Sequence, residues 1–425
     1  MIFLLPLSII THTYHTPKQP ESIVTIENPT LIPDLQLEKI RQLFPHTSKG
    51  IIYLNHAATS PMSTRVLDAM TGHLQDRSSG KIETWFSDLP QIEKTKILVQ
   101  QLVHAESHER IALTGNTSDA LNIVVSGLDW KAGDRILLND LEFPANVYPY
   151  IPLKRLGVEI DVIKSRNGCF TVEQIEVGLT SRTRVVALSA VQFLSGYRAD
   201  MASIGRLCRE RGIHFIVDGI QAVGAIDIDV RNMKIDAMAA GAQKWQMGPQ
   251  GTGFLYITDE LQNRVQQKYV GWLGVETPWN FFDYDQPLAK SARRYEGGTV
   301  NIPGMWGMHA ALGTLLEVGI ETIQDHILAL TQILTDELQK IEGVSLYSPL
   351  LPSERAGIVT INLPKNSNPQ STFESISRKN IQISLREGKL RYSPHLYNTR
   401  DEMLAVVEAT KDALKKSCVP SIDRS

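Results

Sequence analysis

The chain alternates short, continuous apolar runs with longer segments in which apolar residues recur at helical spacing, the pattern of a parallel sheet covered by helices on both faces. Strands are predicted at Arg110–Leu113, Asp134–Asn139, Val158–Ile163, Arg184–Ala190, Ile213–Val217, Ala237–Gly241 and Phe254–Ile257. Helices are predicted at Asn116–Gly127 and Met201–Arg211, with another after Glu142-Phe143-Pro144-Ala145-Asn146. Upstream, Leu37, Ile40, Leu43 and Phe44 have helical spacing, and Gly50–Ala58 reads as a strand running into a polar turn. Downstream, two helices are expected within Met305–Lys340. Strands at Val344–Tyr347, Ile358–Leu363 and Ile381–Arg386 then surround a helix at Thr372–Arg378, and a last helix spans Arg400–Lys416. The fold class expected is α/β: a large domain over residues 50–302 with a mostly parallel sheet flanked by helices, and a small α+β C-terminal domain over 303–416 completed by 35–49. Residues 1–34 read as an irregular leader.

Composition narrows the function. The 425 residues are 42% hydrophobic and 21% charged, with a net charge of −3, so no basic excess points to nucleic acid. Met1–Ile10 is apolar but lacks a basic n-region and a cleavage site, and it is too short to span a bilayer. Cys169, Cys208 and Cys418 are scattered without metal-ligand spacing, which predicts neither a disulfide framework nor a metal site and fits a reducing cytoplasm. The partner expected is a small molecule.

The candidate chemistry gathers between Ile213 and Ile257. A buried strand ends in Asp218, a second apolar run leads to Lys244, and a turn punctuated by Gly248, Pro249, Gly251 and Gly253 follows. Pyridoxal 5'-phosphate needs a lysine amine to hold its aldehyde and an acid to keep its ring nitrogen protonated, and Lys244 and Asp218 supply both. Each residue alone is commonly structural. The segment Gly115-Asn116-Thr117-Ser118-Asp119 has two readings as well: a helix N-cap, or a phosphate cup of free amides and hydroxyls.

The phrases Asp218-Gly219-Ile220-Gln221, Lys244-Trp245 and Gly248-Pro249-Gln250-Gly251-Thr252-Gly253 together resemble the class V aminotransferases of the fold type I pyridoxal-phosphate enzymes, a family that includes cysteine desulfurases, selenocysteine lyases and isopenicillin N epimerase. The resemblance runs from about Ile51 to Thr410. It implies that Lys244 carries the cofactor and shuttles the α-proton, that Asp218 meets its ring nitrogen, and that Thr117 and Ser118 hold its phosphate. Phe143 would stack on the ring, Gln221 would reach the ring hydroxyl, and the amide of Gln243 would donate to phosphate. Arg391, in Arg391-Tyr392-Ser393 before Tyr397-Asn398-Thr399, takes the place of the family's substrate-carboxylate arginine. Asn55 and His56 lie in the phrase that turns over the active site and are listed as substrate-pocket candidates. Thr299, in Glu296-Gly297-Gly298-Thr299-Val300-Asn301, matches the threonine that reaches a neighbouring subunit's phosphate, implying a homodimer. The chain departs from the desulfurases in having Phe143 and Gln243 where they usually have histidines, Gly241 for a serine, and Phe193 for an asparagine.

Transamination of a small amino acid is the first reading of these residues. The alternatives are a C–S lyase, cysteine desulfurase-like or selenocysteine lyase-like enzyme, an amino-acid epimerase and, last, a non-catalytic cofactor-binding module. A desulfurase needs a cysteine on a loop just before the carboxylate arginine. Here Glu387, Gly388, Lys389 and Leu390 occupy that place, so persulfide transfer through a protein thiol is expected to be absent or weak.

Overall fold

A computed structural model describes residues 29–417. The strands are β1 (Ile52–Tyr53), β2 (Ile111–Thr114), β3 (Arg135–Asn139), β4 (Glu159–Ile163), β5 (Thr183–Ser189), β6 (His214–Asp218), β7 (Ala237–Gly241), β8 (Gly253–Ile257), β9 (Ser345–Leu346), β10 (Val359–Asn362), β11 (Ile381–Gln382), β12 (Ser384–Arg386) and β13 (Lys389–Tyr392). A seven-stranded sheet runs β2-β8-β7-β6-β5-β3-β4, and only β8 is antiparallel to its neighbours. Every residue of β6, β7 and β8 is buried, because helices and loops cover both faces of the sheet and leave no polar face for alternation to mark. Burying a side chain such as Phe215, which is wholly buried here, stabilises by roughly 1.5–3 kcal/mol.

The helix Thr64–Ser79 starts on Ser63, whose hydroxyl accepts from the Val66 amide at 3.3 Å. It packs, with the helix Trp85–Leu102, against the helix Ile302–Val318. Neither of those two helices emerges from the apolar spacing. Leu67, Leu74, Phe86 and Ile97 face outward, which blurs the period. The helix expected after Asn146 is a nine-residue 3-10 segment, Tyr148–Leu156. Pro149 and Pro152 lack the N–H donors that an α-helix would need there.

A second, four-stranded antiparallel sheet has the order β12-β13-β10-β9. The helices Ile320–Leu338 and Arg400–Ser417 lie together on it. The single strand expected at Ile381–Arg386 is divided: β11 pairs in parallel with β1, and β12 joins the hairpin with β13. Of the segment Gly50–Ala58 only Ile52 and Tyr53 pair as a strand, with an isolated bridge from Asn55 to Ser393. The expected leader ends inside the fold: Ile32 is buried, and its N–H donates to His326 Nδ1 at 3.0 Å. Residues 1–28 of that leader, and Cys418, lie outside the described residues.

Candidate active site

Asp218 ends β6 at the carboxyl edge of the sheet, where ligands of open α/β folds are held. Its Oδ1 accepts from the Ile220 amide at 2.9 Å, while Oδ2 is buried without a partner. Burial raises its pKa, the nearby carboxylate of Glu142 raises it further, and the amine of Lys244 opposes both. Burial in turn lowers the pKa of Lys244, and the guanidiniums of Arg391 and Arg386 add to that against the pull of Asp218. A neutral amine is thereby brought within reach of physiological pH. The orphaned Oδ2 is what a protonated ring nitrogen would satisfy, so the residues fit pyridoxal phosphate.

The amine of Lys244 sits 5.6 Å from the centroid of the Phe143 ring. Phe143 is 43% exposed and meets Phe193 edge-on at 5.3 Å, so the two rings form an apolar wall open on one side. Glu142, just before Phe143, fixes that wall. Its carboxylate accepts from Asn139 Nδ2, Asn146 Nδ2, the Ser189 amide and hydroxyl, and Gln192 Nε2, all within 2.6–2.9 Å.

The helix Thr117–Gly127 opens on Asn116, whose Oδ1 accepts from the Asp119 amide at 2.9 Å. The Thr117 hydroxyl accepts from the Gly241 amide at 2.9 Å and ties this helix start to the end of β7. The Ser118 hydroxyl has no partner among the described residues. A Cβ on Gly241 would come within 2.4 Å of Gln243 Oε1. The Gln243 amide thus fills the space beside Gly241 that a side chain there would take.

Trp245 anchors the lysine loop. It is fully buried, its Nε1 donates to Gln221 Oε1 at 2.8 Å, and its carbonyl accepts from His395 Nε2 at 2.8 Å. Gly224 holds φ = +100°, and a Cβ there would meet the Trp245 carbonyl at 2.4 Å, so no other residue lets the two turns close this far. Gln221 donates to the Ala57 carbonyl at 3.0 Å. With its oxygen taken by Trp245, a single N–H is left for a ring hydroxyl.

His56, a substrate-pocket candidate, packs inside the fold. It is wholly buried, with Nδ1 against the Ser393 carbonyl at 3.0 Å and Nε2 against Tyr397 Oη at 2.8 Å. Desolvation lowers its pKa well below the usual histidine range, and it is a packed structural side chain. Asn55 is partly exposed, and its buried Oδ1 lacks a partner.

Arg391 stands on β13 opposite Ser384 and Thr360. Its Nε donates to Ser384 Oγ at 3.1 Å and its Nη1 to the Phe193 carbonyl at 2.6 Å, and it is 2% exposed. Burial, helped by Arg386, lowers its pKa to about 10. Arg386 alternates onto the same face as Ser384, is exposed, and makes no ion pair among the described residues. Glu387 and Gly388 turn the β12–β13 hairpin in two residues at φ = +47° and +71°. Thr299 is exposed on a recess beside Gly115 and Tyr269, and its hydroxyl has no partner among the described residues. Among the described residues no cluster suits a metal, and no helix is long and apolar enough to cross a membrane. Glu142, Trp245, His395 and Arg386 were not among the sequence candidates. Of these Glu142, in Glu142-Phe143-Pro144, and Trp245, in Lys244-Trp245, belong to phrases that could have identified them.

A probable cysteine desulfurase of Methanothermobacter thermautotrophicus is 27% identical over 400 residues, covering 89% of this chain and 98% of that protein. An uncharacterized aminotransferase of Bacillus subtilis is 28% identical over 372 residues, covering 87% and 96%. In fold, the chain matches the apo structure of a cysteine desulfurase from Thermococcus onnurineus with a TM-score of 0.81 at 24% identity over 89% of this chain and 98% of that one. It also matches a complex of a cystine C–S lyase with its reaction product cysteine persulfide, with a TM-score of 0.79 at 23% identity over 87% and 99%. The aminotransferase class-V model matches residues 52–402; the chain belongs to that family of pyridoxal-phosphate enzymes.

Proposed function

We propose that the protein is a C–S lyase acting on a small sulfur-containing amino acid, with L-cystine the best fit, and that no thiol of its own takes part. The names of its relatives favour the lyase and desulfurase readings over the transamination taken first from the sequence. The observation that carries the thiol-free form is the two-residue turn at Glu387 and Gly388: the hairpin before Arg391 has no loop on which a cysteine could travel.

Bound pyridoxal phosphate supplies an electron sink that makes the substrate's α-hydrogen acidic. Asp218 Oδ2 is placed to hold the ring nitrogen protonated. The amine of Lys244, neutral at lower pH than in free lysine, takes the α-proton. The electron pair left behind expels the sulfur from the β-carbon, and the ammonium of Lys244 returns the proton to the leaving group. Arg391 orients the α-carboxylate. Phe143 contributes an apolar wall and no second proton-transfer group, which suits elimination by one base. Arg386, unpaired beside Arg391, favours cystine over cysteine because cystine has a second carboxylate. Thr299 would serve the phosphate of a second copy in a homodimer.

The test is to mix the cofactor-loaded protein with L-cystine, L-cysteine or L-alanine, each with and without pyruvate or glyoxylate. Release of pyruvate and sulfane sulfur from cystine, without a keto-acid acceptor, is expected. Turnover of alanine that requires a keto acid would restore transamination. A persulfide on a protein cysteine, seen by mass spectrometry, would restore a desulfurase.

A further inference from the structure

A cleft of about 620 Å³ opens between the seven-stranded and four-stranded units, and none of Asp218, Lys244 or Arg391 lines it. Its large-domain wall includes Val191, Ile226 and Met233, and Leu328 faces them from the other unit. Arg198 also lines the cleft. It is held at the main chain by a bridge to Val191 and by its N–H, which donates to the Glu354 carbonyl at 2.8 Å. Its guanidinium has no hydrogen bond or ion pair among the described residues. The two carboxylates whose fields reach it are Asp200 and Asp227, and both are engaged elsewhere. Asp200 Oδ1 caps a helix by accepting from the Ser203 amide at 3.0 Å, and Asp227 Oδ1 pairs with His104 Nε2 at 2.9 Å. The Glu354 carboxylate lines the same cleft, is likewise without an ion pair, and has its pKa raised by burial.

We propose that this cleft is a second binding site, for a small amino acid with an apolar side chain. A planar guanidinium fork without a partner suits a carboxylate. Glu354, which lines the cleft together with Asp200 and Glu173, suits the ammonium, and the wall from Val191 to Leu328 suits an aliphatic side chain. A free phosphate or a nucleotide would leave that apolar wall unused and would meet Glu354 with like charge. The site is independent of which reaction is run at Lys244.

Equilibrium dialysis of L-leucine against the full-length, cofactor-loaded protein tests the assignment, with the visible spectrum of the cofactor followed in the same samples. Saturable binding is expected at or below a Kd on the order of 10 mM, weakened at least about tenfold in Arg198→Gln and in Glu354→Gln. It should persist within about threefold in Arg391→Gln, which cannot hold a carboxylate at the active site. Arg198→Lys, which keeps the charge but not the fork, is expected to fall between wild type and Arg198→Gln and guards against misfolding of the latter. No saturable binding, binding lost in Arg391→Gln, or binding unchanged in Arg198→Gln would each overturn the site. Equal binding of 4-methylpentanoate, which lacks the ammonium, would overturn the amino-acid assignment.

Discussion

Asp218 and Lys244 follow the ends of strands buried from end to end, β6 and β7, and the loop between them is fastened by Trp245, Gln221 and His395. Arg391 stands on a hairpin whose other strand is a sheet edge and whose turn is two residues. The first wall has almost no freedom, since each side chain is set by strand register and by glycines that admit no Cβ. The second is set by a hairpin whose length can change without disturbing a core. On the function proposed above, the rigid wall would hold the cofactor and the adjustable one would bear on the choice of reaction.

The largest effect is expected on the rigid side. Lys244→Ala should lower turnover on the order of 10³-fold or more, since it removes both the cofactor's anchor and the base. Borohydride should then fail to fix cofactor to the peptide that contains residue 244. Asp218→Asn should cost about 10²–10³-fold in kcat while the protein stays folded, read by activity against the thermal transition. In wild type, burial lowers the Lys244 pKa to about 8. The rate at which cofactor-free protein takes up pyridoxal phosphate should therefore rise with pH through that value, well below the range of free lysine. A rate that first rises near the pKa of free lysine would show that the amine is not buried.

On the hairpin side, Arg391→Lys should lower kcat/KM by about 30-fold, the equivalent of ~2 kcal/mol for lost charge-assisted hydrogen bonds. Most of the loss should fall in KM, and the cofactor's absorbance should be unchanged. An Arg391→Lys enzyme that loses its colour would erase the distinction between the two walls.

What the sequence made legible follows the same division. Asp218, Lys244 and the glycine turns were readable because backbone constraint writes itself into residue type. Gly224 tolerates no Cβ, and β6 reads as an uninterrupted apolar run because both its faces are covered. The surroundings of His56 were not legible because its neighbours Ser393 and Tyr397 come from the far end of the chain, and no local pattern shows that both ring nitrogens are occupied. Arg386 escaped because its significance lies in what it fails to pair with. The helices at Thr64–Ser79 and Trp85–Leu102 escaped because their outward faces keep apolar residues that hide the period. The tight turn at Glu387 and Gly388 was visible as a shortage of residues, and the hairpin register confirms it.

A smaller effect concerns the seam that joins the walls. His56, His326 and His395 are buried, and desolvation lowers all three pKa values, the latter two to about 4. Below pH 6.5 the unfolded chain takes up protons at these histidines and the folded chain does not, so stability falls on acidification. The loss runs from pH 6.5 down through about pH 4 and is complete only below the folded values. Moving from pH 6.5 to 5.5 should cost about 1 kcal/mol per histidine, measured by denaturant unfolding. His326→Gln should reduce that slope by one histidine's share; an unchanged slope would place the acid sensitivity elsewhere.

The smallest effect is expected at the cysteines, and it separates a thiol-free lyase from a desulfurase. Cys169 lies on a turn, partly exposed, and burial with the help of Glu354 raises its pKa to about 11. Cys208 is 1% exposed inside the helix Met201–Arg211, and burial raises its pKa to about 12. A thiol attacks sulfur as the thiolate, so both groups are held in the unreactive form near neutral pH, and neither stands on the hairpin beside Arg391. Cys169→Ser and Cys208→Ser should each change kcat/KM for cystine by less than about twofold, with Cys208→Ser costing about 1 kcal/mol of stability for the polar group placed in the core. A loss of activity in Cys169→Ser that exceeds its loss of stability would mean that the turn between β4 and the helix Val172–Gly178, not the β12–β13 hairpin, delivers a nucleophile.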